Sequence, residues 1–288
     1  MLLFTLLLRC FTAYSAPATP PAADPPNLYR STDLGQSWVP FDAGLPEGAS
    51  PAKLVEGNGR LYLATDYRGV YLLNPDSNRW EARSRGLPKN IDINSLAVRG
   101  DLLAIGTFHG KVFTSRDGGR HWKSPVFNFM GGSVRALYFH DGWLLAGTDN
   151  GIYRSADEGL TWRQTDDLIQ VNDIAFFRGN LYAARRDGIV VSDDDGKTWA
   201  IAYNVGTVTR LLQADGKLFG RLIADAYIRS KNGTFWERPL MTIPGSRPKN
   251  LPAALWVGFK PENPSGEMGV RSVTENSFGW FLGISSGC

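Results

Sequence analysis

The chain is poor in the residues that carry metal, redox and nucleic-acid chemistry. Its 288 residues include only two cysteines, Cys10 and Cys288, and three histidines, and neither sign of charge forms a long run. The net charge of +3, from 31 basic and 28 acidic residues, gives no reason to expect a nucleic-acid groove. No nucleophile elbow, Walker loop or dinucleotide fingerprint occurs, and the histidines lack zinc-ligand spacing. We therefore predict no metal, no cofactor and no nucleic-acid partner.

The N-terminus reads as an export signal followed by a spacer. An apolar run over residues 1–8 precedes small residues around Ser15 and Ala16, which is typical of a secretory signal peptide and too short to span a bilayer comfortably. We predict a signal peptide over residues 1–16 and a Pro/Ala-rich linker over residues 17–26. The expected location is periplasmic or extracellular, with no transmembrane span in the mature chain. Lipidation at Cys10, after a segment that loosely resembles a lipoprotein box, is the alternative; otherwise removal of the leader leaves Cys288 without an intramolecular disulfide partner.

One short element recurs along almost the whole chain. Four segments share the pattern Ser-x-Asp-x-Gly-x-x-Trp, and three degraded copies end at Trp80, Trp236 and Trp280. The seven closing tryptophans are spaced 37 to 44 residues apart. Asp in such a turn accepts backbone hydrogen bonds and Gly supplies a positive φ, so the element has a mechanical role. The aspartates and tryptophans of the four full copies are Asp33, Trp38, Asp117, Trp122, Asp157, Trp162, Asp194 and Trp199.

Each repeat unit contains four short apolar segments separated by turns. In the unit that begins at Ser95, strands are predicted up to Arg99, from Leu102 to Thr107 and from Lys111 to Ser115, with a fourth carrying Trp122. Four strands in about 40 residues are typical of a β-propeller blade, which needs its neighbours to bury its apolar faces. We predict one all-β propeller domain over residues 27–288. Seven blades, closed by pairing of the N-terminal hairpin with the C-terminal strand, are favoured over six with an extra hairpin.

The repeated element resembles the Asp-box, or BNR, repeat of sialidase-like propellers, over nearly all of the predicted mature chain. That resemblance implies that the Asp-box residues are structural and lie on the side away from known active sites. The chain lacks the Arg-Ile-Pro motif of sialidases; Thr242-Ile243-Pro244 is the nearest string. In length, leader and repeat type it is similar to the photosystem II stability/assembly factor-like group, whose members are exported seven-bladed assembly scaffolds without catalysis. The resemblance therefore implies a binding role.

Candidate binding residues come from the end of the propeller opposite the Asp-boxes, here called the upper face. Aligning the units on their second strands puts Lys53, Ser95, Ala136, Asp173 and Arg210 in one register on the innermost strands. The predicted basic rim and the groups within it are Arg68, His109, Arg135, Asp173, Arg185 and Arg210. The plainer interpretation is that these are solvated loop charges.

The predicted function is an exported, monomeric, non-catalytic scaffold that binds a partner protein or carbohydrate polymer through its upper face. The alternative is a glycoside hydrolase of sialidase or xyloglucanase type, which requires two upper-face carboxyl groups flanking the scissile bond.

Overall fold

The computed structural model describes residues 27–33, 37–123, 132–166, 169–204, 206–214, 216–223, 227–233, 235–240, 268–276 and 279–286. Within these ranges the chain is built of strands and turns, and it has no helix of the length and apolar character needed to cross a membrane. The predicted signal peptide, the predicted linker, Cys10 and Cys288 lie outside the described residues.

The described chain contains a succession of short strands. They are β1 (Leu28–Ser31), β2 (Val39–Pro40), β3 (Ser50–Gly57), β4 (Arg60–Asp66), β5 (Gly69–Asn74), β6 (Arg79–Ala82), β7 (Ile93–Arg99), β8 (Leu102–Thr107), β9 (Val112–Ser115), β10 (Val134–His140), β11 (Trp143–Thr148), β12 (Gly151–Ser155), β13 (Arg163–Gln164), β14 (Val171–Phe177), β15 (Asn180–Arg185), β16 (Ile189–Ser192), β17 (Ala200–Tyr203), β18 (Val208–Ala214), β19 (Lys217–Leu222), β20 (Tyr227–Ser230), β21 (Trp236–Leu240), β22 (Met268–Asn276) and β23 (Gly279–Ser286).

Five of the six sheets formed by the described residues follow the order of the chain. Sheet 1 is β3–β6, sheet 2 is β7–β9, sheet 3 is β10–β13, sheet 4 is β14–β17 and sheet 5 is β18–β21, all antiparallel. Sheet 2 gains the start of a fourth strand through an isolated bridge between Thr114 and Lys123. The first strands of successive sheets, β3, β7, β10, β14 and β18, contact one another in turn and are therefore innermost. The all-β propeller prediction is confirmed.

The sixth sheet, here called the terminal sheet, combines both ends of the described chain in the order β2-β1-β23-β22. The predicted pairing of the termini is confirmed, because Leu28 lies opposite Gly283 and Ser31 opposite Trp280. The repeat count assigned the N-terminal hairpin and the unit ending at Trp280 to separate blades, whereas β1, β2, β22 and β23 share one sheet. Trp280 lies on β23, next to the innermost strand, rather than after a fourth strand. The blade count and ring closure of the whole chain stay predictions.

Neighbouring sheets enclose separate apolar cores. Five clusters of buried side chains lie at the five successive junctions from the terminal sheet to sheet 5. Almost fully buried members of the five clusters are Leu28, Tyr62, Leu144, Leu181 and Tyr182. Burying a side chain of this size stabilises the fold by about 1.5–3 kcal/mol. Stacking of sheets, rather than any one sheet, therefore holds the molecule together.

A β-bulge recurs at the same place in every innermost strand. The register shifts between Pro51 and Lys53 in β3 and between Val171 and Asp173 in β14, with equivalent shifts in β7, β10, β18 and β22. A bulge turns side chains by one position, so the residue that follows it has the same orientation in each sheet. This equivalence confirms the predicted register, whose members are Lys53, Ser95, Ala136, Asp173 and Arg210.

The Asp-box turns satisfy their own polar groups. In sheet 4, Ser192 Oγ donates to Asp194 at 2.8 Å and accepts from the N–H of Gly196 at 2.8 Å, while the N–H and Oγ1 of Thr198 donate to Asp194 at 2.9 and 2.7 Å. Asp33, Asp117 and Asp157 accept equivalent bonds. Each Asp-box aspartate is thus held by its own turn.

These hydrogen bonds lower the pKa values of the Asp-box aspartates. Hydrogen bonds from Ser37 and Ser31 lower the pKa of Asp33 to about 2. Burial alone raises the pKa of Asp117 and of Asp194, but hydrogen bonds within each turn outweigh it and lower both to about 2. The tryptophans that follow the turns pack into the sheet junctions: Trp122 is buried, and Trp38, Trp162 and Trp199 are half-buried.

Candidate functional site

The upper face carries the turns between the second and third strands and the connections between sheets. Because strands alternate in direction, the turns at residues 67–68, 108–111, 149–150 and 186–188 lie at one end of the sheets. The Asp-box turns and the turns between first and second strands lie at the other end, here called the lower face. Two groups of side chains define the candidate site on the upper side: one on the innermost strands and one on two neighbouring turns.

Charged side chains from three sheets interact across the innermost strands. Asp173 raises the pKa of Lys53, but burial and the charge of Arg210 act against it, and the pKa of Lys53 is lowered overall. The three residues come from β3, β14 and β18, at the equivalent position after the bulge. We call Lys53, Asp173 and Arg210 the inner cluster. The inner cluster therefore combines two basic groups with one carboxylate.

Asp173 also supports the fold. One carboxylate oxygen accepts a hydrogen bond from the N–H of Leu211 on the neighbouring innermost strand at 3.0 Å, and the other accepts from the N–H of Ile174 at 3.1 Å. The adjacent Asn172 donates to the carbonyl oxygen of Val208 at 2.8 Å. Residues at the bulge of β14 therefore join it to the bulge of β18, so Asp173 has a positioning role between sheets 4 and 5.

Two predicted residues, Arg68 and His109, lie on adjacent turns of sheets 1 and 2. The N–H of Tyr67 donates to the carbonyl oxygen of Ile91 at 3.1 Å, and the N–H of Phe108 donates to that of Asp92 at 3.2 Å. Nε2 of His109 lies 3.1 Å from the Asp92 carboxylate. The segment at residues 91–92 therefore brings the two turns together, and we call Tyr67, Arg68, Phe108 and His109 the rim patch.

The aromatic members of the rim patch are exposed. Tyr67 is 58% and Phe108 50% accessible, and Ile223, at the corresponding turn of sheet 5, is 65% accessible. Tyr67 also has a φ of 61°, which is uncommon for a bulky side chain. Exposed large apolar side chains occur elsewhere as well, on the lower face at Leu160 and Phe235.

Two predicted rim arginines are already engaged by carboxylates. Nε of Arg135 donates to Asp149, which also accepts from the N–H of Ser133 at 2.8 Å. Arg185 is buried and donates to Asp187 at 2.9 and 2.7 Å and to Asp166 at 2.7 Å. Arg135 and Arg185 therefore hold loops in place, whereas Arg68 and Arg210 lie in the two groups described above.

On the lower face, the imidazole of His140 lies close to the carboxylates of Asp141 and Asp195, which are the kinds of group that bind metal ions. Nε2 of His140 lies 3.6 Å from the Asp141 carboxylate and 3.4 Å from that of Asp195, and the imidazole packs on Phe176 with ring centroids 4.5 Å apart. The contact with Asp141 lies within one turn, and the contact with Asp195 joins two neighbouring turns.

The sequence analysis did not single out Tyr67 or Phe108. Both precede the basic residue and the glycine of their turns, in Tyr67-Arg68-Gly69 and Phe108-His109-Gly110. An aromatic residue in a tight turn, where it cannot reach a core, is the sequence signal that identifies them.

No family model matches the chain, and no curated protein matches it. Solved structures do. The GH74 xyloglucanase from Xanthomonas campestris is similar with a TM-score of 0.56 and 18% identity, over 73% of this chain and 40% of that one. YCF48 bound to a D1 peptide is similar with a TM-score of 0.52 and 16% identity, over 69% of this chain and 74% of that one.

The extracellular domain of the one component system BT4673 from B. thetaiotaomicron is similar with a TM-score of 0.63 and 14% identity, over 86% of this chain and 35% of that one. The chain thus spans well under half of the xyloglucanase and of the BT4673 structure. Both enzymes and binding proteins occur among these neighbours, and at such identities the likeness concerns the fold alone. The chain has the β-propeller fold that these structures share.

Proposed function

We propose that this chain is an exported, non-catalytic β-propeller that binds a partner protein or carbohydrate polymer through its upper face. The observation that carries the proposal is the rim patch, in which exposed Tyr67 and Phe108 lie beside Arg68 on two turns anchored to one segment. Tyrosine and arginine are the residues most often found at the centre of protein interfaces. Arg210 of the inner cluster adds a cation that complements an acidic partner.

The state of the upper-face carboxylates supports binding over glycoside hydrolysis. A glycosidase needs one carboxyl group held protonated and a second one across the scissile bond. Asp149 accepts from Arg135, Asp166 and Asp187 accept from Arg185, and Asp173 accepts from two backbone N–H groups. Each of these four carboxyl groups is therefore engaged by donors of the chain itself.

Export is supported by the leader-like residues 1–16. A single propeller domain over residues 27–288 and a monomeric state are part of the same proposal.

The test compares both faces in one experiment. Wild-type protein, an upper-face variant (Tyr67→Ser with Phe108→Ser) and a lower-face control (Leu160→Ser with Phe235→Ser) are used as baits for cross-linking in the extracytoplasmic extract of the source cells. We expect a partner that wild type and the control capture and the upper-face variant loses. Equal capture by all three baits contradicts an upper-face site.

A panel of fluorogenic glycosides, including a sialoside, tests the alternative. We expect no turnover. Hydrolysis that disappears in Asp173→Asn, with folding unchanged by circular dichroism, would replace the scaffold by a glycosidase and locate its active site.

A further inference from the structure

A second site lies on the outer side of the propeller, away from the rim patch and independent of the function proposed above. A cavity of about 740 Å³ opens where the outermost strand of sheet 3, β13, meets the Asp-box turn of sheet 4. Its lining includes Trp143, Arg154, Arg163, Gln164, Lys197 and Thr198. The volume falls within the range of small-ligand sites, about 300–1,000 Å³. The lining is mainly polar and basic, which favours a polar anion over an apolar ligand.

Arg154 is the unusual group in this cavity. It is only 6% exposed, its guanidinium carbon lies 3.2 Å from the ring centroid of Trp143, and its Nε and Nη2 atoms are buried with no hydrogen-bond partner among the described residues. Leaving buried charged donors unpaired is costly, so native structures almost always supply an acceptor. Nε and Nη2 form one edge of the guanidinium fork, which matches the two oxygens of a carboxylate. In Arg185 that same edge holds Asp187, at 2.9 and 2.7 Å.

The strand pairing around Arg154 points the same way. In sheet 5, the arginine that precedes the Asp-box serine is Arg229, and it lies opposite and donates to Glu237 on the outermost strand. In sheet 3, the corresponding Arg154 lies opposite Arg163 instead. Like charges directly opposite one another destabilise a strand pair. Sheet 3 therefore lacks the anion that sheet 5 supplies from its own chain.

The other charges nearby leave the site positive. Lys197 adds a third cation to the lining, and Asp166, the carboxylate in the lining, already accepts from Arg185 at 2.7 Å. Burial lowers the pKa of Arg154, Asp195 and Asp194 raise it, and Arg163 lowers it, with a lowered value overall. Asp194 is in turn held by Thr198 and Ser192, and Asp195 lies near His140. No carboxylate in the described part of the chain accepts a hydrogen bond from Nε or Nη2 of Arg154.

The cavity also contains hydrogen-bond acceptors on Gln164 and Thr198, and these indicate which kind of anion it can bind. Gln164 Nε2 donates to the carbonyl oxygens of Asn150 at 3.0 Å and of Asp166 at 3.1 Å, so its amide oxygen remains as an acceptor. The hydroxyl of Thr198 donates to Asp194, so its oxygen can accept. A ligand that brings only a carboxylate leaves these acceptors unused. Hydroxyl groups next to the carboxylate match them.

We propose that this cavity binds an acidic sugar, with the carboxylate of a hexuronate beside the Arg154 guanidinium, between Arg163 and Lys197, and the sugar hydroxyls on Gln164 and Thr198. The site has the dimensions of a short saccharide and lies on an exterior surface where a polysaccharide chain can reach it. An acidic peptide offers the same carboxylate but lacks the hydroxyl donors.

The test measures binding of defined probes to the full chain by calorimetry and by tryptophan fluorescence, since Trp143 contacts Arg154. The probes are digalacturonate, the neutral disaccharide lactose, acetate and a Glu-containing tripeptide. We expect digalacturonate to bind at least tenfold more tightly than the other three. Binding of the tripeptide as tight as that of digalacturonate overturns the sugar assignment, and absence of binding by every probe overturns the site.

The decisive variant is Arg163→Glu. It recreates the Arg–Glu strand pair of sheet 5, so it should weaken digalacturonate binding at least tenfold while raising the melting temperature. Lys197→Gln, at an exposed position, should weaken binding about threefold, and Arg229→Gln, the matched control in sheet 5, should leave it unchanged. Digalacturonate binding that survives Arg163→Glu in a folded protein contradicts the proposal.

Discussion

Arg185 on sheet 4 and Arg154 on sheet 3 are equally buried, with 6% of each residue exposed, yet their surroundings differ completely. Arg185 donates three hydrogen bonds to Asp166 and Asp187, whereas Nε and Nη2 of Arg154 have no acceptor among the described residues. Burial lowers the pKa of both, but the two aspartates raise that of Arg185 above its usual value, while that of Arg154 is lowered. Partners, rather than burial, therefore separate an arginine that builds the fold from one that can take a ligand.

Removing the satisfied arginine should have the largest effect. In Arg185→Gln the half-buried Asp166 loses its cation, and breaking a buried ion pair from one side costs about 3–5 kcal/mol. Urea unfolding followed by tryptophan fluorescence measures the free energy of unfolding. The exposed neighbour Arg186 is the matched control, and Arg186→Gln should change stability by less than about 0.5 kcal/mol. Equal losses in both variants would show that the Arg185 pairs contribute nothing to the fold.

The Asp-boxes extend the comparison to carboxylates. Asp194→Asn weakens several bonds within one turn, and we expect a loss of about 1–3 kcal/mol at pH 7. Asp193→Asn, at the exposed preceding position, is the control and should change little.

The Asp-box aspartates should also make the stability of the protein depend on pH in the acid range. The folded pKa values of Asp33, Asp117 and Asp194 are about 2, below the unfolded value of about 3.9. Their contribution to stability is therefore fully present above pH 4 and is lost as the pH falls from about 4 to 2. Urea titrations at pH 6, 4, 3 and 2 should show this decline for wild type and a shallower one for Asp194→Asn. Parallel declines for the two proteins would assign acid unfolding to other groups.

The unsatisfied arginine should behave in the opposite way to Arg185. Arg154→Met forfeits the packing on Trp143 but also removes buried donors without acceptors and a like-charge pair with Arg163. These effects offset one another, so we expect the free energy of unfolding to change by less than about 1 kcal/mol. A loss as large as that of Arg185→Gln would mean that Arg154 has a structural partner.

Repetition explains how much of this could be predicted from sequence. Six of the seven repeated tryptophans mark the outermost strand of a sheet, so together with the Asp-Gly turns they indicate the strand order. Alignment of the units also put Lys53, Asp173 and Arg210 in one register, and these residues interact in the structure. The terminal sheet was harder to predict because its strands come from opposite ends of the chain, and Trp280 imitates a repeat position while lying on β23.

The binding residues were harder to predict from the sequence than the fold, because the pairing of charged side chains does not repeat from one sheet to the next. Arg185 belongs to the same predicted basic rim as Arg68, and only its contacts to Asp166 and Asp187 show that it is engaged. A clue to the outer cavity was present in the sequence, since Arg-Ser precedes the Asp-box in sheets 3 and 5. The two arginines differ because Arg154 lies opposite Arg163, whereas Arg229 lies opposite Glu237. The sequence does not give this pairing, because the outer strands that set it are only two and five residues long.

The smallest expected effect concerns the rim patch, where the unfavourable feature is the backbone conformation of Tyr67 rather than an unpaired charge such as that of Arg154. Tyr67 has a φ of 61°, a conformation that Asn tolerates better than a bulky residue, and its side chain is 58% exposed. We expect Tyr67→Asn to raise the free energy of unfolding by about 0.5–1 kcal/mol while weakening capture of the partner. Phe235 is an exposed aromatic residue on the lower face, so Phe235→Asn is the control and should leave partner capture unchanged. If Tyr67→Asn is more stable and still captures the partner, the strained backbone has no connection with binding, and the upper-face site must be sought at the inner cluster instead.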